Sequence, residues 1–513
     1  MKLHSDSLAW AVRHLTSLGD SDLFPKPIEI DIIAALGHDA IDCLSDVELS
    51  SLRYGPSRRF IIPKGELSYR VATQLDPLDS IFLAAIVRQF GEYFEARRRP
   101  LAEKVVFSYR YSPDPDGQLY DPSYSWNEFW SHCYGLAGKY NYAVVLDVAD
   151  FYNQIYHHVL ENQITEAGIP NQVKNWVVGL LGHVTAMVSR GIPVGPHSSH
   201  LLAEVALAPV DNSLIMKGIT FCRYVDDIVL FCDSLKEAHT LIFETAAVLD
   251  RQQRLILQNQ KTRILASHTF REYCKTMSED RPINDLESNL LSIIQKYSKG
   301  DPYRIVHLSE LSDEDLKQFG KETVAKILDE YLDKDQPNYA RLRWFMRRLA
   351  QIGHPSGVKY CIEHLNRLLP AIGEVCRYFV SVSDYENSWD DTGSALLQMI
   401  NDPLVRSNEY LQLSIYSLFN RKVELDHFKS LVTTYGSLSP CLKREVILAA
   451  HAVHAGDWLR ELKEHLNAMD VWNRRAFLVA CANLRKEERR FFLRQVDTSN
   501  PLDRLIVKWA REQ

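Results

Sequence analysis

The run TFCRYVDDIVLFC, residues Thr220 to Cys232, sets Asp226 and Asp227 side by side in the middle of an apolar and aromatic stretch. Its pattern reads as two short strands meeting at a turn. Aspartate is depleted in strands and is almost never fully buried unless paired, so the pair has a cost that needs an offset. Solvent at a polar hairpin turn would be one offset, and a bound cation another. A second segment, YAVVLDVADFYNQIYHHVLENQI, favours the cation: Asp147 ends an apolar strand, and Asp150 stands where a helix should begin, as its cap. Two strands then present Asp147, Asp226 and Asp227 at one edge of a sheet. Such a cluster stays ionised only beside a counter-charge, and hard oxygen ligands favour Mg²⁺.

The rest of the chain limits what such a site can belong to. With 513 residues, 46% of them apolar, there is material for a large core and more than one domain. No stretch approaches the roughly 18 uninterrupted apolar residues of a membrane span, and the opening MKLHSDSLAWAVRHLTSLGD carries charges where a signal peptide is apolar, so a cytoplasmic protein without a membrane partner is expected. The nine cysteines show neither a C-x-x-C pair nor a Cys/His spacing suited to zinc, which points to reduced thiols. Residues 1 to 290 hold 27 basic and 36 acidic side chains, net -9, and residues 291 to 513 hold 32 and 30, net +2. A protein that grips a long duplex usually carries an excess of Lys and Arg, and this one does not.

Residues 1 to about 290 mix the two periodicities. SLAWAVRHLTSLGD reads as a helix closed by Gly19, whereas VVFSYRY and YAVVLDV read as strands. From about Asp313 the strand signals stop, and amphipathic segments such as ARLRWFMRRLAQIG, VKYCIEHLNRLL, EYLQLSIYSLFN and DRLIVKWARE follow one another with Gly, Pro, Asn and Asp at the breaks. Similar lengths and short turns predict a stacked helical array like HEAT repeats. The expected organisation is an α+β domain over 1–297 and an all-α repeat domain over 298–513, divided near YSKGDPYR, residues 297 to 304.

Three further segments hold candidate residues. RRFIIPKGELSYRVATQLDPLDSIF places Lys64 and Arg70 in a strand-turn-strand pattern able to clasp a triphosphate. GIPVGPHSSHLLAEVAL places Gly191 and Pro193 in a loop before an apolar helix, and LILQNQKTRIL places Lys261 at the start of another apolar stretch. Taken singly, each basic residue is a solvated surface charge. Their order along the chain resembles that of reverse transcriptases: IPKGELSYR is similar to the fingers motifs, LDVADFYNQI to motif A, GIPVGPHSS to motif B, YVDD to motif C and LILQNQKT to motif D, over roughly residues 50 to 270.

Within that family the chain resembles the abortive-infection (Abi) polymerases of bacteria, prophage-borne type, through WAVRHLTSLGDSDLFPKP, VVFSYRYSPDPDGQLYDPSYSWNEF and the all-helical second half. The resemblance implies a fingers and palm domain with the helical domain in place of a thumb. It implies Asp147, Asp226 and Asp227 as ligands of two Mg²⁺ ions, with Lys261 assisting the departing pyrophosphate. Lys64, Arg70, Gly191 and Pro193 would bind the dNTP, and Tyr152 would exclude a ribose 2′-hydroxyl. Motif B carries Val194 where many relatives have Gln, and motif D carries Gln258 where Asn or Ser is common; the first is a departure from templated copying. The implied function is untemplated DNA synthesis primed from a protein hydroxyl, leaving single-stranded DNA covalently attached to a trimer or hexamer. A templated reverse transcriptase and an inactive scaffold that binds a phage or host protein are the competing expectations.

Overall fold

The computed structural model describes residues 1–277, 282–299, 304–383, 385 and 388–513. Six strands occur among them: β1 (Arg58–Pro63), β2 (Tyr69–Gln74), β3 (Tyr142–Asp147), β4 (Phe221–Tyr224), β5 (Asp227–Cys232) and β6 (Arg263–Ala266). β1 and β2 form a two-stranded sheet, and the other four form a sheet in the order β4-β5-β3-β6, with antiparallel neighbours. The rest is largely helical. By contact the chain divides into two units, one of Met1–Asp22, Lys26–Arg58 and Thr73–Asp280, the other of Leu23–Pro25, Arg59–Ala72 and Arg281–Gln513.

In the first unit the four-stranded sheet is buried on both faces. Ala143, Val145, Cys222, Val229 and Phe231 join Phe107, Phe129, Trp130 and Phe270 in one aromatic core, while the long helix Leu235–Gln253 packs on β3 and β5. Two covered faces explain why β3 and β5 read as unbroken apolar runs rather than alternating ones. The helix Pro77–Glu95 is buried over its first eleven residues, between the helices Ser5–Ser17 and His197–Ala206. It starts where the sequence dictates: Pro77 fills the first helical position, and Leu78 donates its N–H to Asp76 Oδ1 at 3.0 Å.

VVFSYRY departs from the expectation. It contributes only the isolated bridges Val106 to Arg223 and Tyr111 to Tyr120, with Phe107 N–H donated to Arg223 O at 3.0 Å and Arg223 N–H to Val105 O at 2.8 Å. Tyr109, with φ 46°, turns the backbone into the left-handed region and stops the pairing.

In the second unit the helices Tyr339–Ile352, Ile372–Ser381, Glu409–Arg421, Pro440–Ala452, Val471–Ala480 and Pro501–Glu512 pack in succession, each on the next. Asn338, Asn408, Asp470 and Asn500 cap four of them, and prolines open two. Gly353 ends the first with φ 64°, and a Cβ there would lie 2.3 Å from Ser381 O, so only glycine fits. VKYCIEHLNRLL, read as one helix, forms two short ones, Val358–Glu363 and Leu365–Leu368, broken at His364 where ψ reaches 20°. The helix Asp285–Ser298, expected in the first domain, packs on Lys321–Leu332 and Tyr339–Ile352 and belongs to the second unit. Of the expected boundary segment, residues 300–303 lie outside the described residues.

The second unit also holds the body of the β1-β2 hairpin. Arg343 Nη1 donates to Lys64 O at 3.0 Å and to Pro370 O at 3.1 Å, Tyr339 Oη donates to Glu66 Oε1 at 3.2 Å, and Asn408 Nδ2 donates to Ile61 O at 3.1 Å. Phe60 packs on Phe24, which in turn meets Tyr410. A fragment ending at Met277 keeps the hairpin and loses these helices. Trypsin is expected to cut it after Lys64 and Arg70 at least about 10-fold faster than the full chain; equal cleavage rates by mass spectrometry would show that the hairpin stands without them.

Candidate active site

The turn between β4 and β5 holds a strained backbone residue. Tyr224 pairs with Asp227 across a two-residue connection of Val225 and Asp226. Val225 sits at φ 55°, a conformation that a β-branched residue adopts only when its surroundings impose it, at a cost of about 1–3 kcal/mol. Its N–H is donated to Ser108 Oγ at 2.9 Å, and its carbonyl accepts from Arg223 Nη1 at 2.9 Å.

Beneath the turn lies a buried ionic network. Arg223 holds Asp211 with two bonds, Nε to Oδ1 at 2.8 Å and Nη2 to Oδ2 at 2.6 Å, and reaches Glu204 at 3.1 Å. Glu204, on the helix His197–Ala206, also accepts from Ser108 Oγ and, at 2.9 Å, from Arg98 Nη2. Arg98 and Arg110 each meet Glu95 at 2.8 Å. Three guanidiniums thus face three carboxylates. Burial raises the Glu204 carboxyl, but the charges of Arg223 and Arg98 outweigh it and hold the group below the usual carboxylate range. None of these residues was singled out from the sequence. The available signal was a lone Arg in FCRY and a lone Glu in LLAEVAL, opposite charges in two apolar runs.

The network fixes one side of the candidate site, and β3 supplies the other. Asp147 pairs with Asp227 in register, Val148 donates its N–H to Asp226 O at 3.1 Å, and Gln258 donates its N–H to Asp147 O at 2.7 Å. Lys261, on the following turn, donates to Asp147 Oδ2 at 2.6 Å. Burial lowers the Lys261 ammonium, but the hydrogen bond and charge of Asp147, with Asp227 and Asp226 behind it, raise it above its ordinary value. The structure therefore brings together the adjacent Asp226 and Asp227 with Asp147 and Lys261, which lie far from them in sequence or from each other. The donor set is all oxygen and suits a hard dication. Among the described residues, however, no group of three or more His, Cys, Asp or Glu side chains is arranged to hold a metal ion, and Lys261 already engages Asp147.

Tyr152 lies on the short helix Phe151–Gln154 and hydrogen-bonds His200 Nδ1 at 2.6 Å. Gly191, φ 105°, and Pro193 are buried. The Gly191 N–H is donated to Ile155 O at 2.8 Å and its carbonyl meets His157 Nε2 at 2.9 Å, so both backbone groups are committed to the segment that follows the helix Phe151–Gln154. Asp150 stands at the expected cap position but does not cap through its side chain. With φ 49° it turns that carboxylate to Asn153 Nδ2 at 2.7 Å and Gln154 Nε2 at 3.2 Å. Lys64 and Arg70 lie on the hairpin grouped with the second unit.

Residues 62–287 match the model of the reverse transcriptase (RNA-dependent DNA polymerase) family. That segment, less than half of the chain, is similar to a reverse transcriptase domain. Nucleotidyl transfer is the activity of that family, and the four residues gathered at the end of β3 all lie inside the matched segment. Two solved structures resemble the chain loosely: apo telomerase from Candida tropicalis, at 10% identity over 74% of each chain with a TM-score of 0.32, and telomerase from Candida albicans with a fragment of telomeric RNA, at 12% identity over 75% of this chain and 68% of that one with a TM-score of 0.28. No match to a curated protein was found. Among the described residues no helix is long and apolar enough to cross a membrane, and the nine cysteines form no disulfide.

Ser108→Ala removes the acceptor of the Val225 N–H and a donor to Glu204, and is expected to destabilise the protein by about 1–3 kcal/mol. Glu204→Gln leaves Arg223 and Arg98 under-compensated and should cost about 3–5 kcal/mol. Denaturant unfolding measures both, and losses below about 0.5 kcal/mol would show that the network does not hold the turn.

Burial pushes the His14 imidazole down to about 4 and that of His200 to about 3, in each case with help from His197. Between these values and the ordinary 6.5 the unfolded chain binds more protons than the folded one. The stability carried by neutral histidine is therefore complete above pH 6.5 and drains as pH falls toward 4. His14→Phe binds no proton, so its melting temperature should fall less than the parent's between pH 6.5 and 4; parallel curves would contradict the burial of a neutral ring.

Proposed function

We propose that the chain is an abortive-infection DNA polymerase of phage defence that extends DNA from dNTPs without a template, primed from a protein hydroxyl. The observation that carries this reading is the site at the end of β3, where the Lys261 ammonium meets Asp147 with Asp226 and Asp227 beside it, inside a segment matched to the reverse transcriptase family. Asp147, Asp226 and Asp227 would hold the two Mg²⁺ ions, whose chemistry is to activate the attacking hydroxyl and neutralise the leaving pyrophosphate. Lys261 would hold or give a proton at a phosphate oxygen that displaces it from Asp147 Oδ2. Lys64 and Arg70 bind the triphosphate, Gly191 and Pro193 shape the loop against the nucleotide, and Tyr152 stands against the sugar.

Two features favour untemplated synthesis over copying. Residues 1 to 290 carry a net charge of -9, too acidic a surface for a protein that must neutralise many phosphates of a template duplex. Val194 replaces the polar motif B side chain. The succession of helices in the second unit reads as HEAT-like, in the place of a thumb. The single-stranded product stays attached to the protein, which works in the cytoplasm as a trimer or hexamer.

The test uses labelled dNTPs and Mg²⁺ with no nucleic acid present. Labelled material migrating with the protein is expected, and Asp226→Asn should abolish it while leaving the metal-free melting temperature unchanged or slightly raised, because one like charge is gone. Label appearing only when an RNA template is added would assign a templated enzyme. Label in neither case would assign a scaffold.

A further inference from the structure

The Tyr152 hydroxyl is tied down from behind. Its partner, His200, lies on the helix His197–Ala206, one turn before Glu204 of the ionic network. The 2.6 Å contact between Tyr152 Oη and His200 Nδ1 is matched by a backbone bond, since Ile192 donates its N–H to Tyr152 O at 2.8 Å. His200 is itself clamped: the Tyr109 ring stacks on its face with centroids 4.0 Å apart and 3° between the planes. Tyr109 is fixed in turn by its left-handed backbone and by Arg98, whose Nη1 donates to Tyr109 O at 2.7 Å. Three separate segments thus lock one phenol ring.

Both partners of the bond stay neutral. Burial pushes the Tyr152 phenol far above its ordinary value and holds His200 neutral down to about 3. With both groups neutral, the bond runs from Tyr152 O–H to Nδ1 or from Nδ1–H to Tyr152 Oη according to the imidazole tautomer, and either form ties the ring.

We propose that His200 is a positioning residue for sugar selection: it fixes the Tyr152 ring through the hydroxyl bond, and a pinned ring rejects a 2′-hydroxyl that a mobile ring would let pass. This rests on the reading of Tyr152 as the residue against the sugar. A clash discriminates only as far as the blocking group cannot move aside, and a buried hydrogen bond with a stacked partner is what resists that movement here. The role differs from that of a metal ligand or a triphosphate clasp, because His200 acts through Tyr152 alone.

The experiment measures competitive incorporation of dATP and ATP by the full chain. His200→Phe keeps a flat ring under Tyr109 and deletes the ring nitrogen; Tyr152→Phe keeps the blocking ring and deletes the hydroxyl. Each is expected to lower the dATP preference by about 5- to 10-fold, and the double variant should fall no further, since both changes remove one bond. Tyr152→Ala should lower the preference more than either. An unchanged preference in His200→Phe, additive losses in the double variant, or loss of all incorporation in both single variants would overturn the proposal. If Tyr152→Ala leaves the preference intact, the reading of Tyr152 fails first, and a parent protein that incorporates nothing defeats the polymerase reading; in either case the proposal falls with it.

Discussion

One buried charge network sets the geometry of the first unit. Arg223 sits in β4 with no exposure to solvent, between an apolar sheet face and the helix that follows the GIPVGP loop. A guanidinium in that position is tolerated only because Asp211 and Glu204 neutralise it and Arg98 and Glu95 complete the balance. Its value lies in geometry more than in net stabilisation, because apolar residues of the same volume would fill the space at comparable cost. The network spans β4, the segment around Ser108 and the three helices Pro77–Glu95, His197–Ala206 and Ala208–Met216, and Arg223 and Ser108 hold the strained Val225 residue at its carbonyl and its N–H. Asp226 and Asp227 inherit their position from it.

The same helix serves both sides of the site. Glu204 anchors the network under the carboxylates, and His200, one turn earlier, holds the phenol of Tyr152. Residues four apart lie on one helical face, which is why a run that reads as plain apolar packing, HSSHLLAEVAL, connects the metal-ligand candidates to the sugar-side candidate. A shift of this helix would displace both together.

Much of the site was legible in the sequence and much of the scaffold was not. β3, β4 and β5 could be read because their apolar runs end in charged residues at the turn, and the hairpin around Lys64 because its turn is polar. VVFSYRY was misread as a strand because its apolar pattern hides the left-handed backbone of Tyr109, which serves the stack on His200 rather than the ladder. The break at His364 had no Gly or Pro to mark it. The ionic network was invisible for a different reason: Arg98, Glu204 and Arg223 are separated by up to 125 positions, and only the fold makes them neighbours. The same holds for the hairpin, whose partners in the second unit follow it by hundreds of residues.

That separation has a consequence during synthesis. Glu66 meets Tyr339 across 273 positions and Ile61 meets Asn408 across 347. At a ribosomal rate of roughly 5–20 residues per second, the hairpin emerges about 15–70 s before the helices that hold it. Throughout that interval two strand edges, with Ile61, Leu67 and Tyr69 exposed even in the finished protein, wait without their final partner. Nascent chains stalled between residues 100 and 330 should be the form of this protein that most needs a chaperone.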